Sequence, residues 1–148
     1  MTAIYRQDLT SLVYCSHATE LMAATQAPSI IKSAQKRNPQ MEITGVLTYG
    51  GGMFLQWLEG PHHFVQELME RIRKDPRHDC VLQLHAMSGL QDRLYPDWSM
   101  ELVPSTDIQA VLKQLIEKTH NARHAEAITL MLQLFDDGPL KELVDNQH

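Results

Sequence analysis

No stretch of this 148-residue chain approaches 18 consecutive apolar residues, so the sequence offers no membrane-spanning helix. Cysteine is scarce. Cys15 and Cys80 are the only two and have no C-x-x-C spacing, which argues against a disulfide framework and points to two reduced thiols in the cytoplasm. The opening MTAIYRQDLT has no apolar signal-peptide core. Positive charge is in the minority, with 13 Lys and Arg against 18 Asp and Glu. A net charge of −5 leaves no concentrated basic surface for nucleic acid. There is no P-loop, G-x-G-x-x-G, G-x-S-x-G or H-E-x-x-H, and no internal repeat. These absences argue against a nucleotide-cradling loop, a serine hydrolase and a metalloprotease, and no enzyme is expected.

What is present suits one globular domain with a real core, at 43% hydrophobic and 21% charged residues. Leu12–Cys15 is β-prone and reads as a first strand. Ile30, Ile31 and Ala34 recur at helical spacing until Asn38-Pro39, where the residue before proline disfavours α geometry. Ile43–Tyr49 and Met53–Glu59 flank Gly50-Gly51-Gly52 and read as a hairpin. Phe64, Leu68, Met69 and Ile72 mark an amphipathic helix. Cys80–His85 and Trp98–Val103 read as strands four and five. The order is βαββαββ, which implies an α+β, ferredoxin-like fold: a five-stranded mixed sheet with two helices on one face.

Pro104-Ser105-Thr106 marks a boundary and a candidate helix cap, dividing the chain into 1–103 and a helical region, 104–148. Ile108, Val111, Leu112, Leu115 and Ile116 form one apolar stripe; Ile128, Met131, Leu132 and Phe135 form another before Gly138. They must bury themselves on the open sheet face, on each other or on a second chain, and exposed stripes of this kind favour self-association.

Strand alternation singles out the candidate site residues. Phe54, Gln56 and Leu58 share a face, as do Leu12, Tyr14 and Ser16, and Trp98 and Met100. A glutamine among large apolar neighbours needs partners, because a buried unpaired amide costs roughly 1–3 kcal/mol. It either holds a ligand, pairs with Tyr14 or faces solvent. His120 and His124 stand four apart, but there is no H-E-x-x-H pattern and no nearby cysteine supplies a third metal ligand.

These residues resemble the BLUF family, the domains that sense blue light using flavin. The resemblance runs through Leu12-Val13-Tyr14-Cys15-Ser16, Arg37-Asn38, Ile43-Thr44-Gly45-Val46-Leu47, Phe54-Leu55-Gln56-Trp57-Leu58-Glu59-Gly60, Asp75-Pro76-Arg77-His78 and Trp98-Ser99-Met100, about two-thirds of the chain. It implies a flavin, FAD with FMN or riboflavin as alternatives, held between the two helices. It implies that Tyr14 is the photoactive tyrosine, bridged to the flavin by Gln56. Asn38 would hold the polar edge of the ring, and Ile30 and Ile72 would sandwich it. Arg37, Arg71 and Asp75 would lie near the ribityl and phosphate chain, with His78 beside the ring. The position of Ala34 is often small and polar in the family. The resemblance also places strand five beside strand one, bringing Trp98 and Met100 near Gln56, with a homo-oligomer and a downstream protein partner as output. A flavin-binding redox or interaction module without photoactivity is the alternative.

Overall fold

The computed structural model describes residues 8–18, 27–76, 78–141 and 143, and only the backbone of residues 18 and 27–31. Five strands form one sheet in the order β4-β1-β3-β2-β5. They are β1 (Leu9–Ala18), β2 (Thr44–Gly50), β3 (Met53–Pro61), β4 (His78–Leu90) and β5 (Ser99–Leu102). Helices α1 (Ala27–Arg37), α2 (His62–Lys74), α3 (Ile108–Lys118) and α4 (Ala122–Asp137) complete the fold. The α+β, mixed-sheet expectation holds.

β3 lies at the centre and every one of its residues is buried, because both faces of the sheet are covered. Alternation sends its side chains to two different cores. Phe54 and Leu58 join Leu12, Tyr14 and Leu47 against α1 and α2. Leu55 and Trp57 join Val13 and Val46 against α3 and α4. The β2–β3 turn closes through Gly51 and Gly52 at φ 58° and 74°, left-handed backbone that suits glycine.

Several expectations are corrected. The apolar stripes after residue 105 are not exposed: Ile108, Leu112, Ile128, Met131 and Phe135 are buried on the sheet face opposite α1 and α2, which removes the ground for self-association through them. Neither Ser105 nor Thr106 caps α3; its N-cap is Asp107, without a side-chain cap hydrogen bond. Beyond α1 the chain tightens into a 3-10 turn over Asn38–Met41, with proline at a helix start where its missing N–H costs nothing.

The strand-five placement also changes. β1 is flanked by β3 and β4, so its two edges are taken, and β5 adds in parallel to the outer edge of β2. Trp98 and Met100 do not share a face. Gly45 pairs with Ser99 and Val46 with Glu101, leaving Met100 as the extra residue of a bulge at φ 103°. The bulge breaks alternation, so Met100 enters the core under α1 and α2 while Trp98 packs on the opposite core.

Candidate functional site

Tyr14 and Gln56 stand opposite each other in the β1–β3 register. Both are buried, and the Tyr14 hydroxyl donates to Gln56 Oε1. The other end of the amide, Nε2, donates to Met100 Sδ at 3.3 Å, so Met100 reaches Gln56 across β2. The Met100 carbonyl in turn accepts from Gln35 Nε2 of α1 at 3.2 Å. Burial, with Asp75 adding to it and Arg37 opposing, pushes the Tyr14 hydroxyl well above its ordinary pKa. Tyr14 therefore keeps its proton at any physiological pH.

The cleft between α1 and α2 is lined by Tyr14, Arg37, Gln56, Arg71, Ile72, Asp75 and His78. Sequence reasoning named all seven. It missed Ser33, Leu47 and Leu68 on the same walls, whose residue types carry no signal that separates them from ordinary helix and strand positions. Ala34 is also there. Arg71 lies at the exposed mouth, paired with Glu67 at 3.1 Å. His78 Nδ1 bonds Ser16 Oγ at 2.8 Å, and its ring meets Tyr14 edge-on. Ile30 lies in α1, but its side chain is outside the described residues, as is Arg77.

Asn38 is completely buried, and both its Oδ1 and Nδ2 lack a hydrogen-bond partner among the described residues. A buried carboxamide unsatisfied at both ends costs roughly 1–3 kcal/mol unless a ligand pairs with it. The donor–acceptor edge of a flavin ring presents that complement, so the polar chemistry fits. The cleft itself encloses about 60 Å³. A larger hollow of about 670 Å³ between the β4–β5 loop and the α3–α4 turn is lined by neither Tyr14 nor Gln56, so size alone does not locate the site.

The family model described as sensors of blue light using FAD matches residues 9–101 of this chain. The chain belongs to the BLUF family. The beta subunit of the photoactivated adenylate cyclase of Euglena gracilis is 42% identical over 114 residues, covering 72% of this chain but 13% of that protein. The blue light- and temperature-regulated antirepressor BluF of Escherichia coli is 36% identical over 76 residues, 51% of this chain and 19% of its own length. The chain thus spans under a fifth of these curated relatives. Among solved structures, the BLUF protein BlrB in its dark state matches with a TM-score of 0.66 at 28% identity, over 87% of this chain and 98% of that one. The segment of this BLUF chain that the family model covers, residues 9–101, is the blue-light-sensing module.

One buried ionisable group escaped the sequence reading. Glu59 of β3 is 1% exposed, and its carboxylate accepts from the backbone N–H groups of Leu94 and Tyr95, each at 2.6 Å. Burial raises its pKa from 4.5 to about 7, against the opposing pull of those N–H groups and Arg93. Its folded pKa lies above its unfolded value, so this group favours folding most below pH 4.5, and that contribution is lost as pH rises through about 7. The signal was available: an acidic residue among the large apolar neighbours of β3 raises the same question as Gln56.

No three His, Cys, Asp or Glu gather as a metal site among the described residues. His124 is buried and its Nε2 faces the Asp92 carbonyl at 3.2 Å. No described helix is long and apolar enough to cross a membrane.

Proposed function

We propose that this chain is a blue-light switch in which Tyr14 and Gln56 are the moving parts. The observation that carries the reading is the buried chain of contacts from the Tyr14 hydroxyl through the Gln56 amide to Met100 Sδ, with the Asn38 carboxamide at the end of α1 unsatisfied among the described residues. The bound flavin supplies absorption of blue light and, once excited, an acceptor for one electron. Tyr14 would give up that electron and pass its hydroxyl proton along the bond to Gln56 Oε1 while Gln56 Nε2 releases one of its own toward the ring; the electron and both protons would return to where they came from afterwards. Gln56 is both donor and acceptor, so its amide can be left turned when they do. No bond is made or lost, and the result is a changed hydrogen-bond pattern.

Asn38 orients the polar edge of the ring and Ile72, with Ile30, flanks it. Arg37, Arg71 and Asp75 lie where a ribityl phosphate chain would leave the cleft, and His78 braces Tyr14. FAD is the flavin that this set suits, with FMN and riboflavin sharing the same ring contacts.

The signal leaves through β5. Losing the Nε2 donor releases Met100, a non-glycine residue at positive φ and so a place where strain of about 1–3 kcal/mol is stored. β5 is stitched to β2 by Val103 N to Leu47 O at 2.9 Å and by Thr48 Oγ1 to the Val103 carbonyl. The next turn, Asp107 N to Pro104 O at 2.8 Å, opens α3. Residues 104–148 thus serve as the output region, presenting a changed surface to a downstream protein.

The test is an absorption spectrum of the flavin-loaded protein in darkness and after blue illumination. The whole oxidised-flavin spectrum should move to the red and relax in the dark. Bleaching without a shift would favour a redox module instead.

A further inference from the structure

The loop between β4 and β5 is tied down at more points than a connecting segment needs. Glu59 holds the Leu94 and Tyr95 amides. Arg93 Nη1 donates to Thr44 Oγ1 at 2.9 Å and to the Glu59 carbonyl at 3.1 Å. Asn121 Nδ2 donates to Asp92 Oδ1 at 2.7 Å. The Tyr95 ring stacks on Trp98 with centroids 5.4 Å apart and meets Trp57 edge-on at 5.5 Å. Trp98 N donates to the Tyr95 carbonyl at 3.4 Å, and the Trp98 carbonyl accepts from Gly45 N at 2.8 Å. The position of Trp98 is therefore set by Tyr95, and Tyr95 is held from below by Glu59.

We propose that Glu59 is a positioning residue for the photoswitch: by clamping the β4–β5 loop it keeps Trp98 stacked on Tyr95, on the far face of the sheet, and so assigns the place beside Gln56 to Met100. This rests on the switch reading above. Glu59 shares its face with Trp57 and never touches the flavin cleft; it acts through the loop. An ionised carboxylate accepts both amides. A protonated one turns an O–H toward one of them and gives up that bond.

The groups that bear on its ionisation are few. Arg93 favours the carboxylate, while Asp92 of the same loop opposes it. The buried Tyr95 hydroxyl has no partner among the described residues and lies close enough to feel the Glu59 charge. β1 and β2 set only Ser11 and Thr44 opposite Glu59, and α4 contributes His124 and Asn121, both through Asp92. The clamp is thus tightest above pH 7 and loosens below it.

The experiment uses the flavin-loaded full chain. In Glu59→Gln, whose amide can accept at one end only, Trp98 is released toward the cleft. An indole near the flavin is an electron donor, so flavin fluorescence in the dark should fall at least twofold. Glu59→Gln combined with Trp98→Phe should restore it. Wild-type dark recovery should change at least threefold between pH 6 and pH 8.5 with an inflection near 7, and the profile should be flat in Glu59→Gln. The pH profile of the wild type needs no variant to fold. Unchanged fluorescence in Glu59→Gln, failure of Trp98→Phe to restore it, or a flat wild-type profile would overturn the assignment. A wild type with no reversible red shift at all would instead overturn the switch reading on which it stands.

Discussion

Gln56→Leu is expected to yield a protein that still binds flavin but shows less than a tenth of the wild-type red shift. Leucine is one heavy atom smaller than glutamine, fills much of the same apolar space and has neither donor nor acceptor. The Tyr14 hydroxyl then has no acceptor in reach, and Met100 Sδ loses its donor. Because burial holds Tyr14 protonated, the route by which its electron and proton could leave together is closed. Asn38 and the cleft-mouth residues proposed to hold the flavin are untouched, so loading should survive. The variant should also be less stable by about 1–3 kcal/mol, the cost of an unpaired buried hydroxyl, read as a lower denaturation midpoint. A full red shift in Gln56→Leu would remove the amide from the mechanism. Loss of flavin with the shift would make Gln56 a binding residue rather than a switch.

The second large effect is at Asn38, where one substitution should act in opposite directions on two measurements. Asn38→Ala is expected to weaken flavin binding roughly thirtyfold, from the loss of about two hydrogen bonds near 1 kcal/mol each. The flavin-free protein should be no less stable than wild type, and more stable if the small void left behind collapses. The reason is that Asn38 is buried with both amide ends unpartnered among the described residues, so its side chain is a cost to the flavin-free protein. Its backbone carbonyl, which accepts from Ile43 N at 2.9 Å, is unaffected by the change. Titration with FAD and a thermal melt without it measure the two effects. A drop in flavin-free stability with unchanged affinity would mean that Asn38 is a structural residue.

The pairing of Tyr14 with Gln56 was legible because strand alternation places each among apolar neighbours, and polar groups there need each other or a ligand. The hairpin was legible from its glycines, and the two helices over the cleft from their apolar spacing. Strand order was not. Whether β5 joins β1 or β2 depends on which edges are already taken, and β4 claims the edge of β1 that the family resemblance assigned to β5. The bulge at Met100 was also out of reach. Period-two alternation assumes an unbroken strand, and nothing in Trp98-Ser99-Met100 announces an extra residue; the bulge shows only when Gly45 and Val46 are seen to skip it. The fate of the apolar stripes was legible as a need to be buried but not as a location. Glu59 was a failure of application, since the reasoning that flagged Gln56 held equally three residues on.

On the proposed switch, light turns the Gln56 amide so that its Nε2 donor passes from Met100 Sδ to the flavin C4=O, with no net chemistry. This rearrangement is tested most directly by light-minus-dark infrared difference spectroscopy of the flavin-loaded wild-type protein in the carbonyl region. A reversible downshift of the flavin C4=O stretch on illumination is expected, decaying at the rate of the absorption change, because a stronger hydrogen bond weakens that carbonyl. A C4=O band that stays in place while the protein is illuminated would contradict it.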